Sequence, residues 1–105
     1  MIFKNKTLLL TGGSRGLGKK ICYEFAKRGA NIIFTYVRSS TEAKKSIKEL
    51  EKFGVDVISK KLNLNSNEDI NRFSNEIKKL NIKLDFLINN AASGVMKNSL
   101  ETTEK

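Results

Sequence analysis

Four short runs rich in apolar and β-branched residues recur along the chain, at residues 7–11 (TLLLT), 31–37 (NIIFTYV), 55–64 (VDVISKKLNL) and 84–88 (LDFLI). Between them the apolar residues change to helical spacing. Leu17, Ile21 and Phe25 recur every four residues with Cys22 and Ala26 beside them, then Ala43, Ile47 and Leu50, then Ile70, Phe73, Ile77 and Leu80. Ser39-Ser40-Thr41 precedes the second stripe, and Ser66 with Asp69 forms a start signal like a capping box for the third. Gly29, Gly54 and Asn81 are the stops. Strands alternating with helices predict a parallel sheet, because parallel neighbours need a crossover that is usually a helix. Right-handed crossovers then give the strand order 3-2-1-4 in one α/β domain over residues 1–105.

Composition narrows what such a domain can do. A net charge of +9 invites a nucleic-acid partner, but that reading needs clustered cations. The lysines instead fall in pairs along the whole length (Lys19-Lys20, Lys44-Lys45, Lys60-Lys61, Lys78-Lys79), mostly on the polar sides of the helical stripes. That pattern predicts solvated faces and no nucleic-acid surface. With one cysteine, Cys22, and no histidine, neither an internal disulfide nor a transition-metal site is expected. The first ten residues hold three consecutive leucines, too few for a signal-peptide core or a membrane span, so the expectation is a cytoplasmic protein.

The first run leads into Thr11-Gly12-Gly13-Ser14-Arg15-Gly16-Leu17-Gly18. Backbone N–H groups can converge on a phosphate only where side chains do not block the turn, and Gly12, Gly16 and Gly18 suit that role. Gly18 also allows close packing of helix on sheet. The spacing differs from the dinucleotide fingerprint G-x-G-x-x-G, and no Gly-Lys-Ser/Thr completes a P-loop. A glycine cluster alone fits a tight turn as well as a nucleotide site. Its place between a strand and a helix favours the nucleotide.

Here the sequence resembles the short-chain dehydrogenases/reductases, whose first turn reads T-G-x-x-x-G-x-G and whose second signature, N-N-A-G, is met as Asn89-Asn90-Ala91-Ala92 after the fourth run. The resemblance implies a Rossmann-type doubly wound sheet, covered up to its fourth strand, with Ser14, Arg15, Leu17, Asn90 and Ala91 joining the three glycines around the cofactor. Geometry points the same way, since in the order 3-2-1-4 the two motifs flank the crevice between strands one and four, where open α/β sheets bind ligands. Asn89 and Asn90 can equally satisfy backbone groups at a strand end.

An NAD site places an acid at the end of the second strand to hold the ribose 2′-hydroxyl, whereas an NADP site places cations there for the 2′-phosphate. This chain has Tyr36-Val37-Arg38-Ser39 at that place and no acid before Glu42. Arg38 and Ser39, with Arg15 from the glycine turn, predict NADPH. Asn63 and Leu64 correspond to the family's adenine-facing pair, although a turn-forming role for Asn63 is the competing expectation.

The family's catalytic tyrosine and lysine must lie close together, because the cation lowers a phenol pKa otherwise near 10. The match Tyr23-Glu24-Phe25-Ala26-Lys27 is a decoy, placed opposite the apolar arc of the first helix. In the family the catalytic Ser, Tyr and Lys follow strand four, so no catalytic residue is expected here and the sequence resembles an amino-terminal portion. The run Asn89-Asn90-Ala91-Ala92-Ser93-Gly94-Val95, with residues 36–39 and 51–57, is similar to the branch of NADPH-dependent enoyl-acyl-carrier-protein reductases of the short-chain type, enoyl reductase III. That similarity implies an acyl thioester substrate carried by an acyl carrier protein, and homo-oligomers among full-length relatives. The competing expectations are a 3-oxoacyl-acyl-carrier-protein reductase, a nucleotide-binding chain without catalysis, and a basic interaction protein.

Overall fold

The computed structural model describes residues 2–14, 16–38 and 40–90. They form β1 (Thr7–Leu10), α1 (Gly16–Lys27), β2 (Asn31–Tyr36), α2 (Ser40–Glu51), β3 (Val57–Lys61), α3 (Asn67–Lys79) and β4 (Phe86–Ile88). All strand pairs are parallel, and the order is β3-β2-β1-β4, as the alternation of runs and stripes predicts.

The central strands explain why the sheet must be covered on both sides. Every residue of β1 is buried, and so are the four inner residues of β2. Alternate side chains enter opposite cores. Leu8, Leu10, Ile32 and Phe34 pack with Cys22 and Ala26 of α1 and with Ala43 and Leu50 of α2. Leu9 and Ile33 point the other way, into Ile70, Phe73 and Ile77 of α3 and into Leu62. Each fully buried leucine or isoleucine contributes about 1.5–3 kcal/mol relative to exposure, so the hydrophobic term is concentrated in β1 and β2. At one edge Phe86 closes a ring cluster with Phe3 and Phe25, at centroid separations of 4.9 and 5.1 Å.

The helical stripes need small corrections. In α1 the buried line is Gly18, Cys22 and Ala26, one residue round from the expected Leu17-Ile21-Phe25 line. Ile21 and Phe25 flank the core, and Leu17, in the first turn of α1, is 66% exposed. In α2, Ser46 is buried where Ile47 was expected to lead. Leu80 caps α3 and is 40% exposed. The stops hold: Gly29, Gly54 and Asn81 all take positive φ.

β3 is shorter than the run from 55 to 64, because the chain turns at Asn63. The Asn63 N–H donates to Asp69 Oδ2 at 2.7 Å, and Asn63 Oδ1 accepts from Asn65 N–H at 3.0 Å. Only half of the capping box closes. Asp69 N–H donates to Ser66 Oγ, but the Asp69 carboxylate turns to Asn63 and to Arg72, whose Nη2 also donates to the Lys61 carbonyl at 3.0 Å.

The Asn63 N–H first, then Arg72, holds the Asp69 carboxyl below its ordinary value of 3.8. A carboxyl with a lowered folded pKa adds stability above the unfolded value, and that stability is lost as pH falls through the folded one. The wild-type chain should therefore exceed Asp69→Asn in urea midpoint at neutral pH, with the gap closing below pH ~4. A gap independent of pH would contradict this role.

Candidate functional site

Three strand ends meet at one edge of the sheet. In register, Leu10 lies beside Phe34 on one side and Ile88 on the other. The next residue, Thr11, is fully buried and ties β1 to the exit of β4: its N–H donates to the Ile88 carbonyl at 3.1 Å, and its hydroxyl to Asn89 Oδ1 at 3.0 Å. The loop then leans on β2. Gly12 N–H donates to Thr35 Oγ1 at 3.1 Å, and Gly13 N–H to the Thr35 carbonyl at 3.0 Å.

Space is as restricted as bonding. A Cβ on Gly13 would stand 2.5 Å from Phe34 Cβ, and one on Gly18 would run into the Gly12 carbonyl oxygen. The Gly12 carbonyl also accepts from Asn90 Nδ2 at 3.4 Å, and the Ser14 carbonyl from Ser46 Oγ of α2 at 3.2 Å. Gly12 and Gly16 have φ of 76° and 64°, a backbone region that side-chain-bearing residues adopt at a cost. The turn therefore brings the amino end of α1 against the carboxyl ends of β1 and β4.

What this arrangement can hold follows from its donors. The first N–H groups of a helix have no intrahelical acceptor and sit at the positive end of the helix dipole. No acidic residue lies in the first turn of α1 to compete for them. Gly12 and Gly13 have given their N–H groups to Thr35, so Gly12 contributes its backbone conformation, and the remaining donors lie at Ser14 and at Gly16, Leu17 and Gly18. Amides gathered at the amino end of a helix, with Gly18 allowing that end to pack close to the Gly12 carbonyl, suit the pyrophosphate of a dinucleotide.

Beyond the end of β2, Val37 and Arg38 are exposed, and Lys61 lies across from Tyr36 in the β2–β3 register. Val37 and Lys61 share an open groove with Asn63, Ser66, Glu68, Asp69 and Arg72. Asn63 borders the groove, but its backbone N–H and side-chain oxygen are engaged in forming the turn. Leu64 is half-buried against the α3-side core. Asn89 is half-buried beside Thr11, and Asn90 is exposed at the mouth. Arg15, Ser39 and Ala91 lie outside the described residues.

Tyr23 and Lys27 are on the outer face of α1, with Tyr23 45% exposed and edge-on to Phe53 at 5.0 Å. Tyr23 borders an open groove with Gly16, Lys19, Lys20 and Glu24, on the outer side of the helix. Cys22 is buried, and burial pushes its thiol up to about 12, so it is a core residue with no nucleophilic character at neutral pH. Among the described residues there is no group of three or more potential metal ligands and no helix long and apolar enough to cross a membrane.

The short chain dehydrogenase family model matches residues 6–105. The chain belongs to the short-chain dehydrogenases/reductases. Among curated relatives it is 34% identical over 88 residues to the short-chain dehydrogenase/reductase homolog YusS of Bacillus subtilis, covering 84% of this chain and 81% of that protein. It is 34% identical over 89 residues to the L-rhamnose 1-dehydrogenase (NADP(+)) of Thermoplasma acidophilum, covering 85% of this chain and 35% of that one. A short-chain dehydrogenase from Burkholderia cenocepacia, solved in complex with NADP, superposes with a TM-score of 0.74 at 27% identity, over 81% of this chain and 35% of that one. A short-chain dehydrogenase/reductase from Serratia marcescens superposes with a TM-score of 0.77 at 27% identity, over 84% of this chain and 36% of its own. The chain thus matches most of YusS but little more than a third of the other three.

Several residues that shape this short-chain dehydrogenase/reductase site are not evident from its motifs. Thr35 is hidden in an apolar run, and its one hint is a hydroxyl among NIIFTY. Ser46 sits in a helix with no polar pattern to single it out. Gly13 falls between the spaced glycines, and Lys61 reads as part of a longer strand.

Gly18→Ala tests the close approach of α1 to the strand ends. In an ordinary helix this change stabilises by roughly 0.5–1 kcal/mol. Here the added Cβ must displace the Gly12 carbonyl, and a loss of about 1–3 kcal/mol in urea unfolding is expected. A gain in stability would contradict the packing.

Proposed function

We propose that this chain forms the NADPH-binding part of a reductase, and that the reductase acts on an acyl thioester, with enoyl-acyl-carrier-protein reduction in fatty acid biosynthesis as the specific reaction. The observation that carries the cofactor choice is the end of β2, where exposed Arg38 stands in place of an acid and Lys61 adds a second cation across the strand pair. A guanidinium can hold the 2′-phosphate through paired hydrogen bonds, and a carboxylate there would repel it. The NADP named for the Thermoplasma relative and for the Burkholderia complex supports the same choice.

When bound, the cofactor supplies the hydride. The residues of this chain hold and orient it: the amides of the glycine turn face the pyrophosphate, Arg38 with Arg15 and Ser39 takes the 2′-phosphate, and Asn90 and Ala91 line the path of the ribose. Asn63 and Leu64 border the adenine.

The enoyl assignment rests on the similarity of residues 36–39, 51–57 and 89–95 to that branch of the family. A 3-oxoacyl-acyl-carrier-protein reductase and a nucleotide-binding chain without catalysis are the other two readings. We place the protein in the cytoplasm, with no nucleic-acid or membrane partner, and its full-length relatives in homo-oligomers. Its lone buried cysteine and its dispersed lysines support that setting.

Calorimetric titration tests the proposal. The 105-residue chain should bind NADPH at least about tenfold more tightly than NADH, and Arg38→Ala should remove most of that preference, as the loss of one charge-assisted contact implies. It should leave NADPH unoxidised in the presence of crotonyl or acetoacetyl thioesters. A polypeptide that carries these residues and continues beyond Lys105 should oxidise NADPH with the crotonyl thioester. Equal binding of the two cofactors would overturn the cofactor choice, and activity on acetoacetyl thioester alone would replace the enoyl reading with the 3-oxoacyl one.

A further inference from the structure

Thr35 is 3% exposed, the one buried hydroxyl in the six residues of β2, and belongs to neither motif of the family resemblance. A buried hydroxyl is costly unless its hydrogen-bonding capacity is used. Its side-chain oxygen accepts the Gly12 N–H at 3.1 Å, while its own carbonyl accepts the Gly13 N–H at 3.0 Å. Two consecutive loop amides therefore point back into the sheet. The register explains why: Leu10 pairs with Phe34, so the next residue of β2 stands beside the point where β1 ends and the turn begins.

We infer that Thr35 is a positioning residue for the nucleotide, one that fixes the glycine turn so that the donors at Ser14, Gly16, Leu17 and Gly18 face the ligand. This rests on the NADPH reading above. With Gly12 and Gly13 tied to β2, the chain reverses through the positive φ of Gly12 and presents the amino end of α1 outward. Without the hydroxyl, Gly12 N–H loses its acceptor and becomes free to rotate, and the turn has more than one conformation to choose from. Binding then carries the cost of ordering it. The effect should be large for a ligand whose pyrophosphate rests on the amides of the turn, and small for one that meets the turn only through the Arg15 side chain. The groove at the end of β2 and β3 is held by a separate network, with Asp69 bonded to Asn63 and Arg72.

The test compares wild-type, Thr35→Val and Thr35→Ser chains with two probes. NADPH carries a pyrophosphate, and adenosine 2′-monophosphate does not. Valine matches threonine in shape but lacks the oxygen. Thr35→Val should weaken NADPH binding roughly tenfold, the size expected for one lost hydrogen bond to a buried acceptor, and should leave adenosine 2′-monophosphate binding within about twofold. Thr35→Ser should restore NADPH affinity to within about twofold of wild type. Should the valine variant fail to fold, Thr35→Ala serves in the same comparison. Unchanged NADPH affinity in Thr35→Val, equal loss of both probes, or failure of serine to rescue would each overturn the inference. Failure of the wild-type chain to bind NADPH would instead overturn the cofactor reading, and this inference with it.

Discussion

The junction of β1 with its neighbours is the constraint on which the site depends. Thr11 is clasped to the exit of β4, and the next two amides are clasped to Thr35 on β2. The turn is thereby held from both sides of the central strand before it reaches α1. A parallel sheet makes this possible, because the strands end together at one edge and neighbouring chains there leave toward different faces. α1 packs on the side of Leu8 and Leu10, whereas β4 arrives from α3 on the side of Leu9. The crevice between them is the result of that divergence.

Energetically, apolar burial and polar geometry divide the work. The sheet is fixed by β1 and β2, whose buried residues fill both cores, and small changes in the turn do not threaten it. The turn is fixed by a few hydrogen bonds, each of net value about 0.5–1.5 kcal/mol, and by the absence of room for a Cβ at Gly13 and Gly18. Exposed ion pairs such as Arg28 with Glu24 contribute little to either. Function therefore rests on the weaker layer, where one atom can change the direction of a donor without unfolding the domain.

The strand order was legible because the sequence repeats its pattern: apolar runs, four-residue stripes and positive-φ stops all recur. Element edges were less so. Leu17 and Leu80 have the spacing of core residues, but both stand at helix ends and are exposed, and periodicity carries no information about where a neighbour stops. Ser46 and Thr35 show the converse. Each is a small polar residue buried by one specific hydrogen bond to the loop, a tertiary fact with no local signature. The glycine motif marked the place of the turn, while the direction of its amides emerged only from β2. Asn63 was balanced between a base-facing role and a turn, and the bonds to Asp69 and Asn65 show the turn.

The most direct measurement is an amide nuclear magnetic resonance titration of the 105-residue chain with NADPH, read together with amide hydrogen exchange. Shifts should concentrate at Ser14, Gly16, Leu17 and Gly18 and at the side-chain amide of Asn90, while the Gly12 and Gly13 amides stay slow to exchange with and without ligand. Shifts spread over the lysine-bearing faces of α2 and α3, or fast exchange at Gly12 and Gly13 in the free chain, would contradict a preformed turn that presents its remaining amides to a nucleotide.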